Sequence, residues 1–157
     1  MAITLARIDE RLVHGQVTYS WSVAYGVDTI IVVDDLSAKD ETQRMLIGMA
    51  ISKDKNGHLF TVDEAIQYFK DGRDSNEKVF LVAKDPGVYL RLVKGGVNLK
   101  SINVGGMYYK LGRKQLTKSI YADERQIGIF KELQALGVKS EVRTSPNDKS
   151  SDICSLC

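Results

Sequence analysis

The chain has 157 residues, 43% hydrophobic and 27% charged, which suits one soluble domain with a real core. Its 22 basic and 20 acidic side chains leave a formal charge of +2, too mild a balance for a nucleic-acid footprint. No apolar run approaches the roughly 20 residues a membrane helix needs, and Arg7 interrupts the opening apolar stretch as no signal peptide would, so a cytoplasmic protein is expected.

Strand-like and helix-like segments then alternate. Residues 3–8 read as a first strand and residues 15–25 as a helix stopped by Gly26. Residues 29–33 are a β-branched run of the kind buried on both sheet faces. Residues 34–37 read as a loop, 39–52 as a helix, 58–61 as a short strand and 62–70 as a helix. Another buried-type strand covers 79–83, and Asp85-Pro86 opens a helix with proline in its first turn, ended by Gly95-Gly96. Residues 101–104 form a strand before Gly105-Gly106, and 116–121 form a further strand. Asp123 caps a helix that runs to Leu136, and 138–142 make the last strand. This alternation implies an α/β fold, an open and mostly parallel sheet of about seven strands with helices on both faces. The expected domain is 1–146, with 147–157 a polar, frayed tail. Cys154 and Cys157 lie in that tail as a single C-x-x-C, which neither completes a tetrahedral zinc site nor opens a helix of a redox unit.

The run Arg7-Ile8-Asp9-Glu10-Arg11-Leu12-Val13-His14-Gly15-Gln16-Val17 carries most information. It sets a histidine, an aspartate and two arginines in a strand-to-helix loop, where ligands gather in open α/β sheets. A helix starting at Gly15 aims free N–H groups and its dipole at the imidazole. Neutral imidazole offers a lone pair to phosphorus, and Arg11 and Arg7 could hold the dianion it acquires. Asp9 could orient the imidazole or lock Arg11. On spacing alone, a surface histidine beside a local ion pair fits as well.

This run resembles the active-site signature of the IIB components of the mannose/fructose/sorbose family of the phosphoenolpyruvate-dependent sugar phosphotransferase system. Val32-Val33-Asp34-Asp35, Ile102-Asn103-Val104-Gly105-Gly106-Met107 and Glu132-Leu133 with Leu136-Gly137-Val138 extend the likeness to about Pro146. The resemblance implies a seven-stranded mixed sheet with one antiparallel edge strand. It implies that His14 attacks a phosphohistidine of a IIA partner and is phosphorylated at Nδ1. The phosphoryl group then passes to a sugar hydroxyl during uptake through IIC and IID membrane components. Arg11 is the first choice for holding phosphate, with Arg7 and Asp9 completing the catalytic set, in a loop expected to be mobile. No cofactor, metal or nucleotide is called for, and the chain would work peripherally at the inner membrane face. The IIA donor is expected on a separate polypeptide, and homodimerisation is left open.

Other features have plainer readings. His58 is expected to be structural or solvated. Asp34-Asp35 could hold magnesium, or line the His14 loop. Gly105-Gly106 could cradle a phosphate or only make a turn. Lys110, Arg113, Lys114 and Lys118 are a solvated basic face or one that meets an acidic IIA surface or anionic lipid. Two other classes compete: a small α/β enzyme using His14 as base, for which no nucleophile stands in a strained strand-to-helix turn, and a regulatory domain that kept the fold.

Overall fold

A computed structural model describes residues 3–157. The elements are β1 (Ile3–Asp9), α1 (Gly15–Tyr25), β2 (Thr29–Val33), α2 (Asp35–Ala38), α3 (Glu41–Ala50), β3 (Asn56–Phe60), α4 (Val62–Lys70), β4 (Val79–Ala83), α5 (Pro86–Lys94), β5 (Ser101–Gly106), β6 (Lys114–Thr117), β7 (Ile120–Ala122), α6 (Glu124–Ala135), β8 (Lys139–Val142), β9 (Ser151–Asp152) and α7 (Ile153–Leu156). A seven-stranded sheet runs in the order β3-β2-β4-β1-β5-β8-β9. All its pairings are parallel except β8 with β9 at one edge.

The central strands alternate their side chains between two cores, as period-two geometry dictates. Ile30, Val32, Phe80 and Val82 face Trp21 of α1 and Ile47 of α3. Ile31, Val33, Leu81 and Ala83 face the larger core, which receives α4, α5, α6 and α7. Connections from β1 and from β5 lead to opposite sides of the sheet. The crevice outside their carboxyl ends is therefore the topological switch point, the ordinary ligand site of such sheets.

Local signals set the boundaries. Asp34 caps α2 by accepting from Ser37 N, so a short helix replaces the expected loop over 34–37. Asp40 caps α3 in the same way, which starts that helix two residues later than expected. Thr61 forms a capping box with Glu64 and so leaves the strand it was expected to end.

Two expectations need correcting. Residues 116–121 are not one strand but parts of the β6–β7 antiparallel hairpin, outside the main sheet. The seventh strand of the sheet comes instead from the tail. Ser151 and Asp152 pair with Val142 and Glu141, and Ile153 is fully buried among the residues of the larger core. The polar composition of 147–152 concealed one apolar residue at the position where the chain turns back onto α6. Cys154 packs against the same core, and burial pushes the thiols of Cys154 and Cys157 up from their ordinary range. These thiols favour the protonated, unreactive form at neutral pH. His58 stacks on Phe60 at 5.1 Å and lies 5.3 Å from the Tyr68 ring, a structural placement.

Truncating Ile153 tests the anchoring of the tail. Ile153→Ala should lower unfolding stability by about 3 kcal/mol, as buried isoleucine truncations do, read from the midpoint of urea denaturation at unchanged slope. A change below about 0.5 kcal/mol, typical of surface sites, would show the tail to be frayed.

Candidate active site

The site is built where β1 ends. Asp9, the last residue of β1, pairs with Gly106, the last of β5. Its side chain is 1% exposed. One carboxylate oxygen, Oδ2, lies 3.0 Å from His14 Nε2 and 3.4 Å from Arg7 Nη2. The other, Oδ1, accepts from the Arg11 backbone N–H at 3.0 Å and lies 3.7 Å from Arg11 Nε. Both alternatives left open for Asp9 are thus realised, each by a different oxygen.

A carboxylate only accepts, so the proton in the His14 contact sits on Nε2. The neutral ring then carries its lone pair on Nδ1. His14 occupies the N-cap of α1 but its side chain makes no capping bond. Its backbone N–H is held instead by Thr18 Oγ1 at 3.1 Å. The imidazole is thereby left half-exposed beside the positive end of the helix.

The loop expected to be mobile is tied down. Leu12 and Val13 are buried in the smaller core, and Leu12 N–H donates to Asp9 O at 2.9 Å. Leu12 holds φ = 57°, a left-handed conformation rare for a leucine. Burial of its side chain over-determines that conformation.

The two arginines part company. Arg11 has a side chain 56% exposed, with its guanidinium 5.4 Å from the Tyr108 ring centroid. Its exposed side chain can meet an incoming anion while Nε stays near Asp9. Arg7 is 3% exposed. Its guanidinium bonds Asn103 Oδ1 at 2.5 Å and lies 4.8 Å from the Trp21 ring centroid. Burial lowers its pKa while Asp9 works to raise it. The expectation that Arg7 would grip phosphate is corrected: its side chain points inward from β1, and its partner is the carboxylate that holds the histidine.

Gly105-Gly106 likewise serves neither as a turn nor as a visible cradle. Both residues belong to β5. A Cβ on Gly105 would lie 2.0 Å from Arg7 Cζ, and one on Gly106 would lie 2.9 Å from Asp9 Oδ1. The glycines make room for the ion pair.

A second clamp builds the neighbouring wall. Glu10 takes a two-pronged grip from Arg113 at 3.0 and 2.9 Å, accepts from Tyr108 N–H at 2.5 Å and lies 3.5 Å from Lys110. Arg113, placed by sequence on a basic face, is thus an internal clamp. Asp34 and Asp35 act as local fasteners, Asp34 capping α2 near Lys84 and Asp35 bonding Val62 N–H and Arg91. The sequence assigns no role in the site to Asn103, Trp21, Tyr108, Glu10 or Arg113, because their partners lie far along the chain.

Comparison with known proteins shows the family. The profile described as the PTS system sorbose subfamily IIB component matches residues 3–157. The chain belongs to this family. It is 40% identical over 153 residues to the sorbose-specific EIIB component of Lacticaseibacillus casei, covering 98% of this chain and 93% of that protein. It is 38% identical to the mannose-specific EIIAB component of Escherichia coli K12, covering 99% of this chain but 49% of that longer protein. The crystal structure of the IIBSor domain of the sorbose permease from Klebsiella pneumoniae superposes with a TM-score of 0.95 at 36% identity, covering 99% of this chain and 96% of that one. The match to this IIB family runs through the tail, so residues 147–157 lie within it.

The Glu10 clamp has a pH signature. Burial works to raise this carboxyl, but Arg113 and Tyr108 N–H outweigh it and hold it below the ordinary 4.5. Its stabilisation is complete above that pH and fades as pH falls through the folded value. Glu10→Gln, which leaves Arg113 the Tyr108 carbonyl and a neutral amide in place of a carboxylate, should cost about 1.5–3 kcal/mol at neutral pH. Paired denaturation curves should converge with the parent in acid; a gap unchanged with pH would remove the clamp's assigned role.

Proposed function

We propose that His14 is the phosphoryl acceptor of this IIB component. It takes the group at Nδ1 from a phosphohistidine on a IIA partner and delivers it to a sugar hydroxyl at IIC and IID membrane components. The observation that carries this reading is the 3.0 Å contact between His14 Nε2 and Asp9, which leaves Nδ1 as the nucleophilic nitrogen. A relative in which IIA and IIB are named together, the mannose-specific EIIAB component, supports the IIA donor.

The chemistry follows from the arrangement. The Nδ1 lone pair forms a bond to phosphorus as the donor's N–P bond breaks and its electrons return to the donor ring. His14 keeps its Nε2 proton, so its ring gains positive character as the new bond forms. Asp9 faces that charge. The transferring group is spread-out negative charge, and catalysis is mainly positioning with electrostatic stabilisation. Arg11 and the first-turn amides of α1 supply it from the exposed side. In transfer to the sugar, a hydroxyl oxygen bonds phosphorus as the Nδ1–P bond breaks, the electron pair returns to Nδ1, and the hydroxyl proton is released to solvent. No helix among the described residues is long and apolar enough to cross a membrane. We assign the sugar's passage to IIC and IID, with this chain at the cytoplasmic face.

Intact-mass measurement after incubation with phosphoenolpyruvate, enzyme I, HPr and a mannose-family IIA protein tests the reading. One acid-labile phosphoryl group should appear, and His14→Ala should abolish it. Absence of uptake by folded protein from several IIA donors would shift the reading to a regulatory domain. Arg11→Ala should slow uptake about tenfold to a hundredfold with unfolding unchanged; a rate equal to the parent's would strip Arg11 of its role.

A further inference from the structure

The indole of Trp21 is fully buried with two guanidinium groups near its ring, one from within β1 and one from the residue after β8. Arg7 Cζ lies 4.8 Å from the ring centroid and Arg143 Cζ 5.1 Å. Arg143 also bonds the Tyr25 hydroxyl and Glu141, at 3.2 Å for the latter. Its backbone carbonyl accepts from Asn103 Nδ2 at 3.1 Å and from Arg7 Nη1 at 3.4 Å. Asn103 thus reads both ways: its amide nitrogen is fixed by Arg143, and its amide oxygen receives Arg7. Below lies Gly105, where a Cβ would come within 2.0 to 2.2 Å of three guanidinium atoms. Any side chain there would occupy the guanidinium's own volume.

We propose that Trp21, Asn103, Gly105 and Arg143 are positioning residues for phosphoryl transfer, forming a mould that holds Arg7 against Asp9 so that Asp9 fixes the ring of His14. The proposal rests on His14 being the acceptor. The physical reason lies in the shared oxygen. Asp9 Oδ2 receives both Arg7 and His14 Nε2. A carboxylate this deeply buried needs a countercharge. If Arg7 is displaced, Asp9 is drawn toward its other donors on Oδ1, the Arg11 N–H and the Tyr108 hydroxyl. The imidazole then loses the partner that sets its tautomer and its plane. Metal-bound and catalytic histidines show the same dependence on the group behind them.

The experiment is nuclear magnetic resonance of the His14 ring in the full chain, at a pH of about 8.5, where an ordinary imidazole is neutral, paired with the rate of phosphoryl uptake from IIA. Gly105→Ala forces Arg7 out without removing any titrating group from the chain. Asn103→Leu, which keeps the number of side-chain heavy atoms, removes the acceptor of Arg7 and carries the test if the alanine methyl prevents folding. In the parent, the His14 Nε2 proton should resonate as a slowly exchanging signal. In each folded variant this signal should vanish, and uptake should slow about tenfold or more. Persistence of the Nε2 signal in the folded variants overturns the proposal, whatever the rate. Loss of the signal with an unchanged rate overturns it too. The ring measurement needs no phosphoryl donor. A parent that shows the signal, loses it in the variants and yet takes no phosphate would therefore refute the acceptor reading while leaving the mould as the device that orients His14.

Discussion

The buried pair of Arg7 and Asp9 is the constraint from which the site follows. Two charges withdrawn from water at the end of β1 gain little net stability, because desolvation offsets most of their attraction. What such a pair contributes is direction. Asp9 can face only where its donors stand, and four of them converge on it: Arg7 from below, the Arg11 backbone, the His14 ring and the Tyr108 hydroxyl. The sheet around the pair is shaped to admit it. Gly105 and Gly106 leave out the side chains that would otherwise fill that volume, and Trp21 covers the guanidinium from α1.

A phosphoryl carrier has two needs that oppose each other. Its nucleophile must be exposed enough to meet a donor and an acceptor in turn, and fixed enough to present one nitrogen. The structure separates these needs by depth. The fixing groups are buried in strands β1 and β5. The imidazole stands half-exposed at the helix start, and Arg11 reaches outward with a side chain 56% exposed. Between the layers, the buried side chains of Leu12 and Val13 hold the loop, at the cost of one left-handed residue. Glu10, one residue after Asp9, turns to the other side and fastens the 107–113 segment through Tyr108 and Arg113. Adjacent acidic residues thus support two walls of one crevice.

The carboxyl-terminal segment joins this frame indirectly. β9 pairs with β8, and Arg143 follows β8 directly. Its carbonyl is the fixed point for Asn103, and through it for Arg7. Ile153 anchors the same segment in the larger core. The ordering of the tail and the geometry of the site are therefore parts of one packing arrangement, although about 140 residues lie between them in sequence.

Much of this was determined by the sequence itself. Strand alternation, the glycine and proline stops and the aspartate caps are local, and they placed the five longer helices and the parallel sheet. The Arg7–Val17 run likewise marked the loop and named His14, Arg11 and Asp9 correctly as neighbours, since all lie within one turn of chain. What sequence could not assign was direction and distant partnership. Arg7 looked like a phosphate ligand because its charge is visible and its burial is not. Gly105 looked like a turn because the side chain it accommodates comes from another strand. The tail looked frayed because one isoleucine among polar residues carries no periodicity. These were decided only when the sheet brought β1, β5 and β8 side by side, because a buried charge finds its partner in space, across strands, and leaves no spacing for a single chain to reveal.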